Sequence, residues 1–115
     1  MLPFNTTVWF YRHPVDFRRQ IDGLMLLVAD TLEQDPTSGQ LFVFRNRQAD
    51  KLKMLIWDTD GFWLLYKRLE KGTFKFPGIT EEALKLSVQE LQWLISGLDI
   101  AKQPKRKPLK YSQFF

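Results

Sequence analysis

The chain has 115 residues, 44% of them hydrophobic, and four tryptophans, a composition typical of one folded domain that buries its own core. It contains no cysteine, which excludes disulfides and thiolate metal sites and fits a reducing compartment. The first residues lack the basic and apolar regions of a signal peptide, and no stretch approaches the roughly 20 apolar residues of a membrane helix. We therefore expect a cytoplasmic protein.

The net charge of +4 is concentrated near the C-terminus. Residues 102–110 (KQPKRKPLK) hold five basic residues and no acid, whereas the remainder of the chain carries a net charge of about −1. We expect a single domain over residues 1–101 and a basic, flexible tail over residues 102–115. Such a tail suits a polyphosphate partner such as DNA, and it equally suits a solvated terminus that only raises solubility.

The first third of the chain predicts a strand followed by a long helix. Thr7–Tyr11 is β-branched and aromatic, which is typical of a strand. Pro14 suits the first turn of a helix, and from Phe17 to Leu32 the apolar residues follow one helical stripe. Gly23 interrupts this stripe, and we expect it to allow close packing of the helix on a sheet. Ser38-Gly39 then turns the chain.

Four further strands are predicted between residues 40 and 76, at 40–45, 51–58, 62–69 and 73–76. Short turns such as Thr59-Asp60-Gly61 separate them, which favours an antiparallel meander. Residues 78–86 fit either a helical turn or a strand. Ser87 and Glu90 have the spacing of a capping box, so a short helix should begin at Val88. The predicted fold is α+β, an antiparallel sheet of four to five strands with the long first helix packed on it.

Basic and aromatic side chains recur along the predicted strands. Lys51 and Lys53 share one strand face with Trp57, because side chains alternate along a strand. Cations in such positions can follow a phosphate backbone, or they can simply line the solvated face of a half-buried sheet. The predicted nucleic-acid-binding set is Arg45, Arg47, Lys51, Lys53, Lys67 and Arg68, with Lys105, Arg106 and Lys107 in the tail. An exposed Trp57 or Trp63 would instead anchor a protein partner.

The acidic and histidine residues do not form a catalytic pattern. Asp16, Asp22, Asp58 and Asp60 could be imagined as a two-metal nuclease set, but each has a simpler role at a helix start, in an ion pair or in a turn. His13 is the single histidine, and there is no cysteine nucleophile and no GxxxxGK[ST] phosphate loop. We therefore expect no enzyme activity, no metal and no cofactor.

Four sequence blocks, taken together in their order and spacing, resemble a known family. They are DFRRQIDGL (16–24), DPTSGQLFVFRNR (35–47), DKLKMLIWDTDGFWLLYKRLEKGTFKFP (50–77) and SxxELxxLIxGLD (87–99). This chain resembles the small accessory protein, often called TnpB or the second open reading frame product, of bacterial insertion-sequence-66-type transposable elements. Gln20 departs from the family pattern, since many members have a small residue there, usually glycine.

The resemblance implies a non-catalytic accessory role in DNA transposition, beside a larger transposase of the same element that carries the strand-transfer chemistry. It supplies no catalytic residue for this chain. Two hypotheses follow: a factor that contacts DNA through the basic residues, and an adaptor that docks on the transposase without touching DNA. A homo-oligomer is compatible with both.

Overall fold

Residues 6–103, described by a computed structural model, form five strands and two helices. Their order along the chain is β1 (Val8–Tyr11), α1 (Ile21–Asp30), β2 (Leu41–Arg45), β3 (Lys51–Asp58), β4 (Gly61–Arg68), β5 (Ala83–Leu86) and α2 (Val88–Ile95), followed by a 3-10 turn at Ile100–Lys102. Among these residues, neither helix has the length and apolar character needed to cross a bilayer. The predicted tail cations Lys105, Arg106 and Lys107 lie outside the described residues.

The strands form one mixed sheet in the order β4-β3-β2-β1-β5. β1 runs parallel to β2, with Val8 opposite Leu41, whereas every other neighbouring pair is antiparallel. The predicted antiparallel sheet is therefore wrong at β1 and β2, whereas the predicted antiparallel meander is confirmed over β2, β3 and β4. The reason for the parallel pair is that α1 carries the chain back to the starting end of the sheet, and a crossover of this kind makes the strands that it joins parallel.

The fifth strand lies at 83–86 rather than at 73–76. Residues 73–76 are irregular, with Phe74 only 2% exposed and Phe76 stacked on Phe10 at a centroid separation of 4.8 Å. Their rings pack over the sheet, so this segment contributes to the core and not to strand pairing. Ala83–Leu86 pairs antiparallel with β1. Of the two structures that fitted residues 78–86, a helical turn or a strand, the strand is therefore the one observed.

The first helix is shorter than the apolar stripe predicts. It spans ten residues from Ile21, and residues 12–20 form a non-helical segment that leads into it. Leu24 and Val28 are its buried residues. The explanation proposed for Gly23 is also wrong, because a Cβ there would first meet the Arg19 side chain, at 3.2 Å, and not the sheet.

Both faces of the sheet are covered. The α1 face packs Phe42, Phe44 and Leu55 against the buried side of α1. The opposite face, called the α2 face below, packs Phe10, Val43 and Leu52 against α2 and Phe74. Because both faces carry a core, the exposed parts of the sheet are mainly its edge strand β4 and its rim.

The predicted capping box at the start of α2 is confirmed. The Ser87 hydroxyl accepts from the Glu90 backbone N–H at 3.0 Å, and the Glu90 carboxylate accepts from the Ser87 N–H at 2.9 Å. Leu91 and Leu94 then place the helix on the sheet, where they are buried.

Replacing Ser87 by alanine should lower the free energy of unfolding by about 1 kcal/mol, because the N–H of Glu90 loses its acceptor. Urea denaturation followed by circular dichroism measures this loss. Ser87→Asp keeps an acceptor at the same place and should lose much less. Equal losses in the two variants would show that the cap is not the cause.

Candidate nucleic-acid interface

Lys53, predicted to be a surface cation, is buried with an exposed fraction of 2%. Its Nζ donates to the backbone carbonyls of Phe17 and Arg19, both at 2.8 Å, and lies 3.5 Å from Gln20 Oε1. Burial lowers the pKa of the ammonium. The ring centroids of Phe17 and Tyr66 lie 5.0 and 5.8 Å away. Because the segment before α1 covers Lys53, this side chain fastens that segment to the sheet and is not available to DNA.

Arg45 and Lys67 belong to the α2 face, where both have internal acceptors. Arg45 donates to the Arg12 carbonyl at 3.3 Å, its guanidinium carbon lies 5.2 Å from the Phe76 ring centroid, and burial lowers its pKa. Lys67 Nζ donates to the Ile95 carbonyl at 2.7 Å, at the C-terminal end of α2 where the helix dipole favours a cation. These two cations therefore lie apart from the others in the predicted set.

Arg47, Lys51 and Arg68 lie together at one end of the sheet. Lys51 is opposite Arg68 in the β3–β4 register, on the α1 face. Arg47, exposed in the β2–β3 turn, and Lys51 line one cleft of about 320 Å³ that also contains Phe17. Arg68 forms an ion pair with Glu70 at 2.8 Å, which raises the pKa of its guanidinium.

The segment before α1 brings Arg18 and Arg19 near these cations, because Asp16, the partner of Arg18, lines the same cleft as Arg47 and Lys51. Arg18 and Arg19 line a second cleft, of about 650 Å³, together with Leu64 of β4. The bond from Lys53 to the Arg19 carbonyl holds the segment in this position. Neither arginine belongs to the nucleic-acid-binding set predicted from the sequence, because no local pattern shows that this segment lies over the sheet. We call Arg18, Arg19, Arg47, Lys51 and Arg68 the basic patch.

The acids beside the basic patch neutralise part of its charge. Arg18 pairs with Asp16 at 2.6 Å and, through its hydrogen bonds, lowers the pKa of that carboxyl to about 2. This pair and the Arg68–Glu70 pair are solvent-exposed, where water and salt screen the charges, so phosphate can compete with either carboxylate. Within residues 6–103, Arg19, Arg47 and Lys51 form no ion pair.

The aromatic side chains near β4 differ in exposure. Tyr66, on the α1 face, is 53% exposed and meets Phe17 edge-on at a centroid separation of 6.1 Å. Trp57, a predicted partner anchor, is half-buried with its ring edge-on to Phe62 at 5.0 Å. Trp63, the other predicted anchor, is 52% exposed and donates its indole N–H to Asp58 at 3.1 Å. Trp63 and Tyr66 are thus the exposed rings of this region.

Comparison with known sequences decides the family. The family model described as IS66 Orf2 like protein matches residues 6–105. This chain belongs to the IS66 Orf2-like family. The resemblance noted in the sequence is thereby confirmed, and with it the association with insertion-sequence transposition.

Two relatives of this IS66 Orf2-like chain come from Sinorhizobium fredii (strain NBRC 101917 / NGR234). Uncharacterized protein y4jC is 45% identical over 97 residues, which cover 84% of this chain and 82% of the relative. Uncharacterized protein y4hO is 38% identical over 101 residues, which cover 86% and 88% of the two chains. No solved structure matches.

In this IS66 Orf2-like protein, residues 6–103 contain no cluster of three side chains suited to hold a metal ion. Asp16 is engaged by Arg18, and Asp58 accepts from the indole of Trp63. Gln20, which departs from the family pattern, lies at the start of α1 within reach of Lys53. It belongs to the anchoring of the segment before α1.

Proposed function

We propose that this protein is a non-catalytic accessory factor in the transposition of an insertion sequence, and that it contacts DNA through the basic patch, aided by the C-terminal tail. The observation that carries the proposal is that basic residues from two distant parts of the chain lie close together in the fold. Arg18 and Arg19 precede α1, and Arg18 pairs with Asp16, which lines the same cleft as Arg47 and Lys51. Lys51 of β3 in turn lies opposite Arg68 of β4. The larger transposase of the same element is the expected partner and the source of strand-transfer chemistry.

The charges of the basic patch suit the phosphates of a nucleic-acid backbone. Arg19, Arg47 and Lys51 form no ion pair within the described residues. Each phosphate that they neutralise releases condensed counterions, so binding should weaken steeply as salt rises. Tyr66 offers an exposed ring beside the patch on which an unpaired base could stack.

DNA binding by the double variant Arg47→Glu/Lys51→Glu tests the proposal. Fluorescence anisotropy would compare it with the natural chain on short duplexes carrying element ends or scrambled sequence, at two salt concentrations. We expect affinity to fall about tenfold or more, because two phosphate contacts are removed. For the same reason, the number of counterions released on binding, obtained from the salt dependence of the affinity, should fall by about two. Lys75→Glu/Lys85→Glu, which changes the charge equally at exposed positions outside the patch, is the matched control.

A chain ending at Gln103 separates the folded domain from the tail. Binding that survives this truncation and is lost in the patch variant supports the proposal. Binding that disappears with the tail, yet is unchanged in the patch variant, would contradict a role for the patch. Absence of salt-sensitive binding in the natural chain would contradict DNA contact altogether.

The second candidate function is an adaptor that docks on the transposase without touching DNA. The exposed indole of Trp63 favours it, because tryptophan is enriched at the energetic centres of protein interfaces. Sedimentation velocity of this chain mixed with the transposase tests it. A faster-moving complex that Trp63→Ala abolishes would support the adaptor, and an unchanged profile of the natural mixture would refute it.

A further inference from the structure

β4 is an edge strand of the sheet that residues 6–103 form. It lies at the end of the strand order and is eight residues long. The β3–β4 turn closes on the Asp58–Gly61 pair, and at the other end of the hairpin the Leu69 N–H donates to the Asp50 carbonyl at 2.8 Å. Because hydrogen-bonded pairs alternate along an antiparallel hairpin, the odd-numbered residues of β4 are the ones that bond to β3. The even-numbered residues direct their N–H and C=O groups outward, and no backbone group within residues 6–103 bonds to them there.

The two edges of the sheet are protected to different degrees. The opposite edge, β5, has four residues, carries Lys85 and follows two glutamates, features that discourage strand pairing. β4 has charge only near its end, at Lys67 and Arg68. Its centre, residues 62–66 (FWLLY), holds five uncharged residues without proline or glycine. A long apolar edge of this kind favours addition of another strand.

We propose that the strand that pairs with this edge is β4 of a second copy of this chain, antiparallel and centred on Leu64. A two-fold axis perpendicular to the sheet keeps each side chain on its own face, so even-numbered residues pair with even-numbered ones. Asp60 then lies opposite the second copy's Arg68, and Phe62 lies opposite its Tyr66. A centre at Leu65 would instead place Asp60 opposite Glu70, so complementary charge selects the Leu64 register.

The same register covers the exposed apolar side chains of β4. Trp63, 52% exposed, would lie opposite the second copy's Leu65 on the α2 face. Tyr66, 53% exposed, would meet Phe62 on the α1 face. Aromatic and charged cross-strand pairs of these kinds stabilise antiparallel strands. The result is one continuous sheet with both α1 helices and both basic patches on the same side. Formation of the dimer does not require DNA.

A charge exchange at Asp60 and Arg68 tests this pairing. Sedimentation equilibrium of the full chain should give the mass of a dimer. Asp60→Arg and Arg68→Asp should each raise the dimer dissociation constant about tenfold or more, because each places two like-charged pairs across the axis. Mixing the two variants should restore a dimer of one copy of each, since both pairs then become opposite in sign.

Asp30→Arg makes the same charge change at an exposed position on α1 and should leave the dimer intact. Circular dichroism checks that each variant is folded. If Asp60→Arg or Arg68→Asp does not fold, Tyr66→Lys, at a half-exposed position, takes its place in the test. If the natural chain is a monomer, the proposal is overturned. This holds even if the transposase is found to bind β4. A dimer indifferent to the substitutions at Asp60, Tyr66 and Arg68 would overturn it too and would move the interface elsewhere, for example to the exposed Leu26.

Discussion

Replacing Lys53 by methionine is expected to lower the free energy of unfolding by about 2–3 kcal/mol. Methionine keeps most of the apolar stem but removes the ammonium, which leaves the carbonyls of Phe17 and Arg19 without the donor that lies 2.8 Å from each. At 2% exposure for Lys53, little water is available to replace that donor. Urea denaturation followed by tryptophan fluorescence measures the loss.

Lys51→Met is the matched control, because it makes the same change two residues earlier on the same strand face. Lys51 is only half-buried, and its side chain makes no hydrogen bond or ion pair within the described residues, so stability should change by no more than about 0.5 kcal/mol. An unchanged or increased stability of Lys53→Met would contradict the expectation. It would mean that the desolvation cost of the ammonium equals or exceeds what its bonds contribute.

The loss should be concentrated where the bonds are. α1 begins without a side-chain cap, since the Gln20 side chain accepts no bond from the first helical N–H groups. Lys53 is therefore a main link between the helix entry and the sheet. Amide hydrogen exchange at residues 17–20 should accelerate more in Lys53→Met than exchange at the centre of β3. Because Arg18 and Arg19 belong to this segment, the same variant should also loosen the basic patch.

The elements that the sequence predicts well are those set by neighbouring residues. The capping box at Ser87 and Glu90 has the predicted bonds, because all its partners lie within four positions. The boundaries of β3 and the turn at Thr59-Asp60 also follow from local alternation and turn residues. Such features need no knowledge of the rest of the fold.

The elements that the sequence mispredicts depend on distant partners. Hydrophobic alternation gives the same pattern for a parallel and an antiparallel β1, and only the path of α1 decides the direction. Phe74 and Phe76 look like strand residues, but their rings fill the α2 face of the core. Local composition cannot distinguish an aromatic that pairs in a sheet from one that covers it.

The candidate site was predictable only in part for the same reason. Alternation placed Lys51 and Lys53 on one face, and that assignment agrees with the α1 face seen in the fold. It could not show that a segment more than 30 residues earlier lies over Lys53 and leaves Lys51 accessible. The contribution of Arg18 and Arg19 follows from that same long-range contact.

Asn46→Ala is expected to lower the free energy of unfolding by about 2 kcal/mol, because one buried side chain organises the whole β2–β3 turn. Asn46 is 5% exposed, and its Oδ1 accepts from the backbone N–H groups of Asp50 at 3.1 Å and Lys51 at 3.0 Å. Its Nδ2 donates to the side chains of Gln48 and Asp50. Alanine leaves both N–H groups without their acceptor. Urea denaturation gives the size of the effect.

Two further variants separate the parts of this network. Asn46→Asp keeps the acceptor for both N–H groups but loses the donations and adds a charge beside Asp50, so its stability should lie between those of alanine and asparagine. Gln48→Ala removes only an exposed partner and should cost less than about 0.5 kcal/mol. If Gln48→Ala were as damaging as Asn46→Ala, the bonds to the backbone would not be the cause.

The consequences of Asn46→Ala should reach beyond the turn itself. The Ala49 carbonyl accepts from the Phe74 N–H at 2.7 Å, so the turn also holds the segment whose rings cover the α2 face. On the other side, the turn carries Arg47 and leads into Lys51. A turn that loses its internal bonds should therefore show faster amide exchange at Asp50, Lys51 and Phe74 together. Acceleration confined to Asp50 and Lys51 would show that the covering segment is held by its own packing.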